Sequence, residues 1–130
     1  MNAQAGGARD APNLPYPAII ESYGNGGFRF AGMSHRGSLI CLPSGIWAWA
    51  VTSPGEIDAA TLAPLFAEKD LGFVLIGTGR DPWDMPEALR WRFRERKLNV
   101  EVMTTRPAVR TYNIVLGEGR RAAAALIAVD

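Results

Sequence analysis

The run Phe73-Val74-Leu75-Ile76, stopped at Gly77, is the most apolar stretch of the chain and constrains its fold more than any other segment. Four consecutive apolar residues bounded by a glycine suit a strand buried on both faces, as in a parallel sheet covered by helices. Segments of helical period separate it from two further short apolar runs. The first helix is expected from Asp84 or Met85, with Pro86 in its first turn, Glu87 near the positive end of the dipole, and Met85, Leu89 and Phe93 as its buried stripe. Asn99-Val100-Glu101-Val102-Met103 reads as the next strand. Thr105 or Arg106 then caps a helix with Pro107 in its first turn, Ala108, Tyr112 and Val115 on one face, and Gly117 as the left-handed residue that ends it. The last strand is expected over 122–129. Strand, helix, strand, helix, strand in this order implies a right-handed crossover and parallel neighbours.

The first half has a different grain. Asn25-Gly26 between Ala18–Ser22 and Phe28-Arg29-Phe30 signals a hairpin. Ser38–Leu42 reads as a buried strand closed by Pro43-Ser44-Gly45, and Ile46–Val51 as another, with Trp47, Trp49 and Val51 on one face. Leu62, Leu65 and Phe66 at i, i+3, i+4 predict an amphipathic helix within 58–69, starting near Thr61 so that Pro64 falls in its first turn. The expected fold is therefore α/β: a three-layer domain with a mixed β-sheet flanked by helices, its N-terminal half β-rich and followed by β-α-β-α-β. Residues 1–15, rich in Ala, Gly, Asn and Pro, are expected as a flexible tail, and 16–130 as a single domain.

Composition removes several function classes. A chain that is 48% hydrophobic and 21% charged matches ordinary soluble domains, and its longest apolar run, 122–129, falls far short of a membrane span. One cysteine, Cys41, and one histidine, His35, exclude a disulfide framework and the usual Cys/His zinc sites, which fits a reducing cytoplasm. No metal or cofactor is expected. A net charge of +1 gives no general attraction to nucleic acid.

Chemistry is expected where the carboxyl ends of the parallel strands meet, since ligands of open α/β sheets bind at that edge. There the sequence collects Gly77, Thr78, Gly79 and Arg80 from one loop and Thr104 and Thr105 from the next, at the start of the helix carrying Pro107. Glycines permit close approach, hydroxyls donate, and a helix start favours an anion. The plainer reading of the same residues is a tight strand-to-helix turn with threonine caps, and they lack the glycine spacing and lysine of nucleotide-binding loops. Tyr112 and Asn113 form a second candidate, because a mid-helix asparagine seeks partners. Their plainer role is core contact and loop anchor. Arg90, Arg94 and Lys97, spaced i, i+4, i+7 beside Trp91, form a basic face suited to a nucleic-acid phosphate backbone or an acidic protein surface, or simply to solvent.

Taken in order, Val74–Gly79, Val100–Thr105, Ala108 with Thr111-Tyr112-Asn113, and Glu118-Gly119-Arg120-Arg121 before Ala124–Ile127 resemble the family of NADH:ubiquinone oxidoreductase (complex I) assembly factor 3 and its bacterial and archaeal homologues of unknown function. The resemblance runs from about Ala18 to Val129. It places family-shared positions at Gly77, Thr78, Gly79, Met103, Thr104, Tyr112, Asn113 and Arg120. It implies a three-layer α/β domain without established enzymatic activity, acting through protein partners among respiratory-complex or inner-membrane assembly components. Arg106-Pro107 and the absence of a presequence set this chain apart from the mitochondrial member, so the expected location is cytoplasmic, peripheral to the inner membrane. The competing expectation is a protein or enzyme that binds a small anion at the Gly77-Thr78-Gly79 edge.

Overall fold

A computed structural model describes residues 11–130. Eight strands and three helices follow one another as β1 (Ser22–Gly24), β2 (Gly27–Phe30), β3 (Met33–Arg36), β4 (Ser38–Leu42), β5 (Gly45–Trp49), α1 (Ala63–Ala67), β6 (Phe73–Gly77), α2 (Glu87–Glu95), β7 (Val100–Met103), α3 (Thr105–Gly117) and β8 (Ala122–Leu126). Strands β1-β2-β3 form an antiparallel meander, and the other five form a mixed sheet in the order β5-β4-β8-β6-β7. As the crossover argument requires, β6 is parallel to β7 and to β8, while β4 runs antiparallel to both β8 and β5.

Period-two alternation divides the core between the two faces of the five-stranded sheet. Leu39, Cys41, Leu75, Ala124 and Leu126 face α3, where they meet Ala108, Val109, Tyr112 and Val115, and the same cluster takes Phe28 and Phe30 from the meander. Ile40, Leu42, Val74, Ile76, Ala123 and Ala125 face the other way, against Leu62, Leu65, Leu89 and Phe93. Five residues of β8 are buried, four of them alanine, so both helical layers approach the sheet centre closely. The result is three layers, with the meander and α3 sharing one side.

Several local expectations change. The hairpin turn is Asn25-Gly26 as expected, both at positive φ (54° and 78°), which matches the right-handed twist of the strands it joins, but the strand before it is Ser22–Gly24 and not 18–22. A second such turn, Ala31-Gly32, opens β3, which the sequence pattern hides because Met33-Ser34-His35-Arg36 offers no apolar alternation. The helix expected within 58–69 shrinks to the five residues of α1, because the Asp58 carboxylate accepts the Thr61 N–H and the Thr61 hydroxyl accepts the Asp58 N–H, which holds a turn in place of the first helical residues. Pro86 sits just outside α2 instead of within its first turn, and α3 is entered at Thr104, one residue before the expected cap. Gly117 still belongs to α3, and Gly119 (φ 78°) is the left-handed residue that turns the chain toward β8.

Of the tail expected over 1–15, residues 1–10 lie outside the described residues. Within 11–15, the chain meets β5 at two residues: Asn13 and Leu14 donate their N–H groups to Ile46 O, Ile46 returns its N–H to Leu14 O, and Leu14 is buried. The apolar Leu14 covers part of the β5 edge. Among the described residues, no helix is long and apolar enough to cross a membrane.

Candidate functional site

At the carboxyl edge of the parallel strands, hydrogen bonds tie four chain segments together. Gly77 O accepts the N–H of Ile127 (2.9 Å), and Thr78 donates its N–H to Met103 O (2.9 Å) and its hydroxyl to Asp81 O (2.8 Å). Thr105 is the centre of the arrangement. Its hydroxyl donates to Ile127 O (2.7 Å) and accepts the N–H of Gly79 (2.9 Å), while its own N–H goes to Gly79 O. Gly77 is glycine for a steric reason, since a Cβ there would stand 3.1 Å from the Cα of Thr105 and 3.0 Å from Leu126 Cδ2.

The structure thus brings Gly77, Thr78, Gly79 and Thr105 together as the sequence suggests, and assigns them to structure. Thr78 and Thr105 are almost completely buried, with their hydroxyls committed to backbone. Outside this knot lies a cleft of about 240 Å³ lined by Gly79, Arg80, Thr104, Arg106, Val129 and Asp130. Thr104 makes no side-chain cap bond, and the Arg106 guanidinium donates to Asp130 O (3.4 Å) and covers the Tyr23 ring. Arg106, which the sequence suggests only as a helix cap, therefore lines this cleft, whereas Thr105 lies beneath it.

Tyr112 and Asn113 do not reach it. Seven helical residues separate Tyr112 from Thr105, about 10 Å along the axis. Tyr112 is fully buried on the sheet side of α3, where its hydroxyl has no oxygen or nitrogen partner and meets only the Cys41 thiol. Burial pushes the Cys41 thiol up to about 12 and the tyrosine hydroxyl well above its ordinary range, so both stay protonated and inert. Asn113 acts as a peptide mimic: its Oδ1 accepts the N–H of Ile20 (2.8 Å) and its Nδ2 donates to Ile20 O (2.9 Å), pinning the segment before β1 onto α3. His35 is also spoken for, between Asn13 Nδ2 and Ser38 O. Among the described residues, no group of His, Cys, Asp and Glu side chains is arranged to hold a metal ion.

The basic face on α2 is only partly as expected. Leu89 and Phe93 are buried, which turns Trp91 to solvent at 55% exposure. Arg94 lies over the Trp91 ring (5.5 Å to its centroid) and forms an ion pair with Glu87. The helix ends at Glu95, and Lys97 takes a positive φ of 56°, so the stripe Arg90, Arg94, Lys97 breaks after Arg94. Lys97 instead lines a cleft with Phe66, Glu68 and Asp70. Trp49 is core, its indole N–H donating to Thr61 O, and Trp47 is half-buried against the same cluster.

The resemblance read from the motifs is matched by comparison with known proteins. A family model described as a protein of unknown function (DUF498/DUF598) matches residues 20–127. The chain is 38% identical over 108 residues to an uncharacterized protein of Rhodobacter capsulatus, covering 83% of this chain and 82% of that one. It is 31% identical over 115 residues to NADH dehydrogenase (ubiquinone) 1 alpha subcomplex assembly factor 3 of Mus musculus, covering 88% of this chain and 62% of the mouse protein. It thus spans just under two thirds of that relative. A solved structure described as an outer membrane protein from Bartonella henselae superposes with a TM-score of 0.85 at 44% identity, covering 91% of this chain and all of that one.

Proposed function

Because the chain belongs to the DUF498/DUF598 family, we propose that it is a non-enzymatic protein-interaction domain of the assembly-factor kind, engaging partners of respiratory complex I assembly from the cytoplasmic side of the inner membrane. The observation that carries the reading is the outward face of α2. Trp91 is exposed with Arg94 stacked on it, and tryptophan and arginine are both among the residues enriched at binding hot spots. Residues 87–97 hold five cations against two carboxylates in a chain of net charge +1, so the rest of the molecule is net acidic and the charge is localised here. The threonines at the strand edge and Asn113 support the same reading, since their polar atoms are engaged in holding backbone segments together. The domain so proposed takes in residues 16–130 together with Leu14.

Affinity capture of the tagged chain from gently solubilised membranes and cytosol of its own cells tests the proposal. Complex I subunits or their assembly intermediates are expected in the eluate. A hot-spot residue is worth about 2 kcal/mol, roughly thirtyfold in Kd, so Trp91→Ala should remove the partner while leaving the fold intact. Capture of no respiratory subunit, or capture indifferent to Trp91, sinks the reading.

One observation favours the alternative of a small anion bound at the strand edge: the cleft presents Arg80 and Arg106 beside Thr104, whose hydroxyl is not engaged in capping α3. A thermal-shift screen against acidic metabolites should then yield a ligand whose effect disappears in Arg106→Gln. A flat screen removes this alternative.

A further inference from the structure

The five-stranded sheet ends differently on its two sides. At β5, the bridge between Leu14 and Ile46 covers part of the edge. At β7, no described segment pairs with the outer side of the strand. Its inner side is fixed, since Val74 donates its N–H to Asn99 O (3.1 Å) and Thr78 to Met103 O (2.9 Å), with Val74 level with Val100 and Ile76 with Val102. In a parallel ladder this register turns the polar groups of residues 99, 101 and 103 toward β6 and those of Val100 and Val102 away from the sheet. The outward N–H and C=O groups of these two valines have no hydrogen-bond partner among the described residues. They form a row onto which an extended chain can add as a further strand.

Side chains decide which chain that can be. Val100 and Val102 lie on the α2 side of the sheet, half-buried against its cluster, while Glu101 lies on the α3 side and is exposed. Glu101 has no ion pair among the described residues. A second copy of this chain is a poor occupant. Because only Val100 and Val102 turn their polar groups outward, two copies joining the whole of β7 about a two-fold axis must set Val100 against Val102 and Glu101 against its own counterpart. The two carboxylates then meet in the close, non-hydrogen-bonded pair of an antiparallel ladder, where like charges are destabilising. Sliding the copies apart in register relieves the repulsion but shortens the pairing, since Leu98 already donates its N–H to Phe93 O and α3 begins at Thr105. A foreign strand with a cation at the same position turns the repulsion into attraction.

We infer that the outer edge of β7 is a docking site for an extended segment of a protein partner in which a lysine or arginine lies between two apolar residues. The segment bonds to the backbone of Val100 and Val102, lays its apolar side chains beside those valines, and sets its cation beside Glu101. Glu101 thereby favours such a partner and deters a second copy. The site uses none of the exposed side chains of α2, so the loss of either surface leaves the other intact.

The test titrates the isotopically labelled full chain with the blocked peptide Ser-Thr-Val-Lys-Val-Thr-Ser and, in a parallel series, with the same peptide carrying Glu in place of Lys, followed by NMR at constant ionic strength. Saturable shifts of the Val100 and Val102 amides are expected with the Lys peptide, larger than those of Glu101 and Met103, whose N–H groups already face β6. The Lys peptide should bind about threefold tighter than the Glu peptide, and Glu101→Lys should reverse that order. Retained shifts for the buried Leu39 and Ala124, on strands away from this edge, verify the fold of the variant. In sedimentation, Glu101→Val should self-associate more tightly than the parent. Val100 and Val102 amides that do not move, or an order of affinity that Glu101→Lys leaves unchanged, overturn the site. A Glu101→Val variant that associates no more than the parent overturns the role of Glu101 against a second copy.

Discussion

Thr105→Val is expected to lower the stability of the domain by about 2–4 kcal/mol, although it changes neither the shape nor the size of the side chain appreciably. The Thr105 hydroxyl is fully buried, donates to Ile127 O and accepts the Gly79 N–H. Valine fills the same space, so no cavity forms and the measured loss reports the hydrogen bonds alone. Each buried backbone group left without a partner costs about 1–3 kcal/mol, and there are two of them. Thr104→Val supplies the control one residue earlier. That hydroxyl makes no cap bond, so the change should fall within about 0.5 kcal/mol. Denaturant unfolding of the two variants and the parent measures both. A Thr105→Val variant as stable as the parent would falsify the view that this threonine is the fastener of the strand edge and would return it to the list of groups kept for a ligand.

Tyr112 is expected to give opposite results on two substitutions. The ring is among the largest fully buried side chains, set between α3 and the sheet, and Tyr112→Ala should cost about 3–5 kcal/mol through lost burial and the cavity left behind. The hydroxyl, in contrast, is buried with no oxygen or nitrogen partner and meets only the Cys41 thiol, a weak hydrogen-bonding group. Burying a hydroxyl against so weak a partner is unfavourable, so Tyr112→Phe should leave stability unchanged or raise it by about 1 kcal/mol. Equilibrium unfolding of both variants at neutral pH is sufficient. Marked destabilisation by Tyr112→Phe would mean that the oxygen has a partner essential to the fold, such as an enclosed water.

The contrast between these residues marks how far the sequence could be read. Strands β4, β6 and β7 were legible because apolar runs end at Pro43, Gly77 and Thr104, and the parallel crossover followed from the helix between the last two. Strand β3 was not, because its residues are polar or exposed and its turn uses Ala31 at a positive φ, where sequence rules look for Gly or Asn. The helix within 58–69 had correct spacing but lost its first residues to side chain to backbone bonds at Asp58 and Thr61. At the strand edge, residue type and chain position located the cluster, while its meaning depended on a contact twenty-two residues away, Thr105 to Ile127, that no local pattern encodes. Asn113 is a similar case, its partner Ile20 lying at the other end of the chain.

The position of β8 has a consequence for the order in which the protein can come into being. It lies between β4 and β6, yet it follows every other element in the chain. During synthesis β4-β5 and β6-β7 are complete long before residues 122–126 leave the ribosome, and until then each pair presents an open, apolar edge where β8 belongs. The strand that closes the sheet is four alanines and a leucine, weak in intrinsic strand preference and held mainly by the two edges it joins. The nascent chain therefore spends its growth as two unsealed halves, exposed to mispairing and dependent on a late, single closing step.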